Sequence, residues 1–141
     1  MTGVRSREQV RADPRPARVR ADARVARVRA DARGRRAETI AAWWLRLKGY
    51  RVLGRRVRTR VGEIDLIVRR GRTLAFVEVK ARDHLDKALA AIHPAAQQRL
   101  AKAAQSLLVK YGQGCDTVRV DAVLVVPGQW PRHLKSIWRK D

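Results

Sequence analysis

The sequence predicts a protein on the border of the α/β and α+β classes: a β-sheet with flanking helices in the element order α-β-β-β-α-β. Three observations predict it. Successive runs rich in β-branched residues lie between Tyr50 and Ala81, punctuated by glycine. Apolar residues at helical spacing both precede and follow those runs. A further run, Thr117 to Val126, alternates and then becomes fully apolar, as a buried strand does.

From about Arg36 to Lys48, Ala37, Ile40, Ala41, Trp44 and Leu47 form one helical stripe, Trp43 lies off it, and Gly49 supplies the stop. Tyr50 to Thr59, GEIDLIVRR and TLAFVEVKA then read as three strands. Gly71 and Arg72 suit the two central positions of a tight turn with glycine first, so the second and third strands pair antiparallel. Pro94 opens a second helix whose stripe is Ala96, Leu100, Ala103, Ala104, Leu107, Leu108 and Tyr111, ending at Gly112. Leu134 to Trp138 is a candidate short edge strand.

With 141 residues and 45% apolar content, the chain fits one domain with one modest core. The single cysteine, Cys115, precludes an intrachain disulfide, and no Cys/His zinc spacing is present. No stretch approaches the ~20 apolar residues of a membrane span, and the N-terminus lacks the apolar core of a secretory signal. The expectation is a soluble, cytoplasmic protein with no membrane partner.

Lys and Arg total 33 against 13 Asp and Glu, a formal charge of +20 that concentrates polyanions around the molecule, nucleic acid first among them. Arginine dominates, which suits bidentate phosphate contact; a GC-rich genome produces the same bias. Residues 1–36 carry twelve arginines and four acids, and residues 11–36 contain a nine-residue repeat, RADPRPARV, RADARVARV and the degraded RADARGRRA that runs on to Ala37. With almost no large apolar side chains, residues 1–33 are expected to be a disordered basic tail, although Ala and Arg permit helix on a phosphate surface. Residues 34–141 form the expected folded domain, itself carrying about +12.

The chemistry concentrates on the hairpin. Alternation puts Glu63 and Asp65 on one face, with Ile64, Leu66 and Val68 on the other. In FVEVK, Glu78 and Lys80 share a face with Phe76, opposite Ala75, Val77 and Val79. A turn centred on Gly71 and Arg72 pairs residues whose numbers sum to 143, so Asp65 faces Glu78 and Glu63 faces Lys80. Two carboxylates ~5 Å apart destabilise a sheet unless something compensates. A Mg²⁺-like cation, which takes one or two carboxylates, waters and substrate phosphate, compensates economically and serves phosphodiester hydrolysis, with Lys80 orienting water or stabilising charge. A solvated hairpin face is the competing reading, and a turn shifted by one residue would change the partner of Asp65.

The run from Gly34 to about Trp138, with AE at 37–38, GEIDLI at 62–67, FVEVKAR at 76–82 and a Pro-initiated helix, resembles the YraN-type family of small bacterial proteins. That family looks like a member of the PD-(D/E)XK nuclease superfamily, near the archaeal Holliday-junction resolvases. The resemblance implies a mixed sheet of restriction-endonuclease-like architecture and a Mg²⁺ or Mn²⁺ ion held by Asp65, Glu78 and the backbone carbonyl of Val79. It implies Lys80 as the catalytic lysine and Glu38 as a further acid of the site. It also implies action on structured DNA in recombination or repair, DNA being favoured over RNA, and a homodimer. Residues 1–33 have no counterpart in the pattern, and HLDKALAAIH (84–93) lacks the aromatic-glycine character expected there.

Other residues leave alternatives open. Glu38 equally suits the first turn of a helix, where it complements the dipole. Arg82, Gln98, Arg99 and Lys102 are candidate contacts to a phosphate backbone; for those of the second helix a plain solvated face competes. His84, His93 and His133 show no catalytic or metal spacing. Trp43, Trp44, Trp130 and Trp138 suit core packing or stacking on unpaired bases, and Asp121 has no explanation from its strand context. The alternative to an enzyme is a non-catalytic nucleic-acid-binding protein that keeps the nuclease fold.

Overall fold

A computed structural model of the chain describes residues 14–138. Helix α1 (Ala17–Leu47) leads into strands β1 (Arg51–Arg58), β2 (Glu63–Arg70) and β3 (Thr73–Ala81). Helices α2 (Leu85–Ala90) and α3 (Pro94–Tyr111), then strands β4 (Thr117–Val125) and β5 (Arg132–Leu134), complete it. The five strands form one mixed sheet in sequential order, antiparallel except where β3 and β4 run parallel across the α2–α3 crossover.

Both faces of the sheet are buried. Helix α1 covers one with Ala41, Ala42 and Leu45 against Leu66, Val68, Ala75, Val77 and Val123. Helix α3 covers the other with Leu100, Ala103 and Ala104 against Ile64, Ile67, Leu74, Phe76 and Val120. Small residues on both helices let their backbones approach the sheet closely, and the β-branched strand residues fill the layer.

The α3 stripe is as expected, with Pro94 in the first turn and the His93 side chain accepting a hydrogen bond from the Ala95 N–H as the cap. At the other end of α1, Gly49 adopts φ +92°, its N–H donates to Arg46 O and that of Tyr50 donates to Leu45 O. This is a Schellman termination, which favours glycine. Gly71, at φ +60° ahead of Arg72, closes the β2–β3 turn.

Four expectations are corrected. Helix α1 begins at Ala17 instead of about Arg36, so residues 17–33 of the repeat segment are helical instead of disordered, mostly solvent-exposed as an Ala/Arg sequence permits; residues 1–13 of the expected tail lie outside the described residues. The buried face of α1 is Ala37, Glu38, Ala41, Ala42 and Leu45, about one residue round from the predicted stripe, and leaves Ile40 and Leu47 outward. Residues 85–90 form α2, whose Ala88 packs on Leu124 and Val126, where a loop was expected. The edge strand is Arg132–Leu134, earlier than Leu134–Trp138, because Ala122, Val123 and Leu124 supply its ladder partners.

Candidate functional site

The β2–β3 ladder runs from Arg70–Thr73 to Leu66–Val77 in the predicted register and stops there. Beyond it the Asp65 side chain takes over from the backbone: its Oδ2 accepts the Val79 N–H at 2.8 Å. The N–H and C=O of one strand residue point to the same edge, so the Val79 carbonyl faces the opening in which the Asp65 carboxylate lies. Glu63 therefore never reaches Lys80; it pairs with Arg58 at 3.5 Å, and Lys80 Nζ pairs instead with Glu78 Oε1 at 2.8 Å.

The strict alternation predicted for β2 also breaks here. Ile64 joins the α3-side core while Leu66 and Val68 join the α1-side core. Across the ladder, Arg56 lies between the Arg55–Leu66 and Val57–Ile64 pairs with φ +48°, a left-handed conformation that costs a non-glycine residue of order 1–3 kcal/mol. Its Nε donates to Glu38 Oε2 at 2.6 Å, and that bond holds the guanidinium above its ordinary pKa.

Glu38 reaches the site because α1 is rotated: it is 8% exposed, on the sheet-facing side, rather than solvated in a first turn. Burial first, then the charges of Glu38 and Glu78, raise Asp65 from the ordinary 3.8 to about 6, against the lowering effects of the Val79 N–H and Lys80. Glu38, Asp65, Glu78 and Lys80 are thus brought together. Glu38 has Arg56 and Glu78 has Lys80 as cation, while among the described residues no ion pair is formed by Asp65.

Among the described residues no group of three or more Asp, Glu, His or Cys side chains is arranged to hold an ion. A smaller donor set is two carboxylates, Asp65 and Glu78, and one carbonyl, Val79, which water and phosphate would have to complete. That composition suits Mg²⁺ or Mn²⁺ and not a protein-only cage.

The four residues expected to contact nucleic acid are dispersed. A methyl group added to Gly62 would stand 3.7 Å from Arg99 Cδ, so Arg99 lies over the turn that leads into Asp65. Gln98 and Lys102 line a separate cleft with Arg119 and Trp138, between α3 and β4. Arg82 lines an arginine-rich groove beside α1.

Sequence reasoning missed Arg56, whose GRRVR context reads as plain strand, and a buried network around Asp121. There Asp121 accepts from His133 Nε2 (2.8 Å), the Ser136 N–H (2.9 Å) and Arg119 (3.1 Å), while Arg119 also reaches the Tyr50 hydroxyl at 2.6 Å. Burial pushes the Asp121 carboxyl up, but these bonds to His133, Ser136 and Arg119 outweigh it and hold the group below its ordinary value. Lys48 Nζ lies 2.6 Å from His133 Nδ1, so an imidazole protonated on Nε2 serves both neighbours. A charged residue in the middle of an apolar strand run was the available signal.

The model of uncharacterised protein family UPF0102 matches residues 37–125. A UPF0102 protein of Parvibaculum lavamentivorans is 57% identical over 107 residues, 75% of this chain and 80% of its own length. One of Rhizorhabdus wittichii is 54% identical over 105 residues, 74% of this chain and 89% of its own. One of Sphingopyxis alaskensis is 49% identical over 106 residues, 75% and 91% respectively.

Proposed function

The chain belongs to the UPF0102 (YraN-type) family, and on that premise we propose that it is a Mg²⁺- or Mn²⁺-dependent endonuclease that hydrolyses phosphodiester bonds in structured DNA. The observation that carries the reading is Asp65: a largely buried carboxylate at the point where two strands part, beside two further acids, with no ion pair among the described residues. A protein does not keep such a group for stability.

Asp65 and Glu78 would hold the ion, with the Val79 carbonyl on the same edge. The ion supplies Lewis-acid stabilisation of the phosphodiester. Lys80, anchored by Glu78, would position the attacking water and donate to the charge that builds on the phosphate; water adds to phosphorus and loses a proton to solvent as the P–O bond to one sugar breaks, and the departing sugar oxygen takes a proton from solvent. Glu38, clamped by Arg56, fixes α1 against the site and keeps Asp65 in a negative field that favours a cation. Arg99 stands where it can hold a backbone phosphate at the entrance.

A second reading, a non-catalytic nucleic-acid-binding protein, is favoured by the ion pairs already made by Glu38 and Glu78 and by the charge of +20. Turnover separates the two. Duplex, flap, four-way-junction and single-stranded DNA are incubated with Mg²⁺ or Mn²⁺ beside Asp65→Asn and Glu78→Gln. The expected result is metal-dependent cutting of a branched or unpaired substrate, reduced about a hundredfold or more in each variant with binding retained. Undiminished cutting by both variants removes the site, and binding without cutting by the wild type selects the second reading.

A further inference from the structure

Of the predicted apolar stripe of α1, the alanines face the core and the large residues do not. Ile40 and Leu47 (75% exposed) stand outward, Trp43 is 61% exposed, and Trp44 stacks on Trp130 of the β4–β5 connection with ring centroids 5.7 Å apart at 29°. Trp130 is itself 79% exposed, a flat indole backed by a second one and open on its other face.

Beside this stack runs a groove of about 620 Å³ between α1 and the ends of β3 and β4. Arg29, Arg33, Arg36 and Arg82 line it, and Asp83 is the one acid among its lining residues, already engaged by Arg33 at 3.6 Å. Ile40 and Pro127 also line it; Trp44 is one helical turn beyond Ile40, and Trp130 is three residues beyond Pro127. The groove and the tryptophans are therefore one continuous surface. In sequence it neighbours the acidic site: Arg82 lies two residues past Lys80, and Ala37 in its wall precedes Glu38, whose side chain lines a separate cleft with Arg56 and Glu63 on the other flank of α1.

We propose that this surface binds an unpaired stretch of nucleic acid, with phosphates along the arginines and a base stacked on Trp130. The proposal rests on the nuclease reading and deepens it by naming the form of substrate. Guanidinium groups match phosphate bidentately, and exposed indoles match the π-face of a base. Duplex offers the first of these but keeps its bases stacked inward, so unpaired bases alone use both. A second copy of this chain is disfavoured as occupant, because a self-complementary contact would set arginines against arginines.

The test is binding in EDTA, where no cleavage occurs. The probes are a short oligothymidylate and an abasic strand of equal length, read by intrinsic tryptophan fluorescence and by anisotropy. Oligothymidylate is expected to quench the fluorescence and the abasic strand is not. Trp130→Ala is expected to lower affinity for oligothymidylate about tenfold and to leave affinity for the abasic strand within about twofold; Arg33→Ala with Arg36→Ala lowers both. An unchanged melting curve verifies that the Trp130 variant folds. Equal affinity for the two strands, or an unaffected Trp130 variant, overturns the proposal. So does light scattering that shows a wild-type dimer dissociated by Trp130→Ala, which would give the surface to a second copy. Cutting without base-dependent binding sinks this proposal alone, and base-dependent binding without cutting sinks the nuclease reading alone.

Discussion

Asp65 is the residue on which the site turns, and its cost is measurable. Its carboxyl is raised from 3.8 to about 6, so the stability this group allows in its neutral form is fully present below about pH 4 and is lost as pH rises through 6. Once ionised, the group costs the fold on the order of 3 kcal/mol. Asp65→Asn, whose side-chain carbonyl can still accept the Val79 N–H, is expected to melt several degrees higher than wild type at pH 7.5 and at the same temperature at pH 3.5. Thermal melts at the two pH values check this. Adding Mn²⁺ at pH 7.5 is expected to raise the wild-type melting temperature and leave the variant unmoved. Asp65, Glu78 and Lys80 were legible as residues in GEIDLI and FVEVK, and Glu38 in the AE pair at 37–38. The break in β2 alternation was not: it lies opposite Arg56, whose left-handed conformation no residue pattern encodes.

At the scale of elements, α1 carries the lesson. Its existence and its end at Gly49 follow from local chemistry, but its facing does not. The large apolar residues Ile40, Trp44 and Leu47 define the apparent stripe, yet the sheet accepts the smaller face Ala37, Ala41, Ala42 and Leu45. Close approach of α1 to β3 requires small side chains, and burying Glu38 beside Arg56 requires the same rotation. The first turns of α1 lack buried contacts: Ala37 is the first fully buried residue along the helix. A chain starting at Gly34 is accordingly expected to lose less than about 1 kcal/mol of unfolding free energy, since an exposed helical extension is marginal in water. It loses Arg29 and Arg33 from the groove, so its affinity for oligothymidylate falls and becomes less salt-dependent. Urea denaturation and a salt titration of binding measure the two effects separately.

The whole molecule is tied together by a polar network rather than by its cores alone. Lys48 and Tyr50 after α1, Arg119 and Asp121 of β4, and His133 of β5 meet around one carboxylate that is fully buried. Removing it leaves His133 and the Ser136 N–H without this acceptor, and Arg119 with the Tyr50 hydroxyl alone of its two acceptors here. Asp121→Ala is therefore expected to cost about 3–5 kcal/mol at pH 7. Because the Asp121 carboxyl is held below its ordinary value, its contribution is present above about pH 4 and is lost as pH falls through its lower folded value. Urea denaturation at pH 7 and in strong acid should show a wide gap between wild type and variant that closes in acid. A variant as stable as wild type at pH 7 would show that the network contributes nothing.

By itself, the sequence determined the class of fold, the first four strands, the β2–β3 turn and the register beside it, the second long helix and the family, and it singled out Glu38, Asp65, Glu78 and Lys80. These follow from periodicity of two or 3.6, turn chemistry at Gly49 and Gly71, and short motifs, all readable within a few neighbours. The tertiary structure alone decided the rotation of α1, the parting of β2 from β3 at Asp65, the partners of Glu38, Glu63 and Asp121, and the outward tryptophans beside the arginine groove. Each of these depends on which distant side chains compete for one volume or one hydrogen bond, and that competition is settled only when the layers pack.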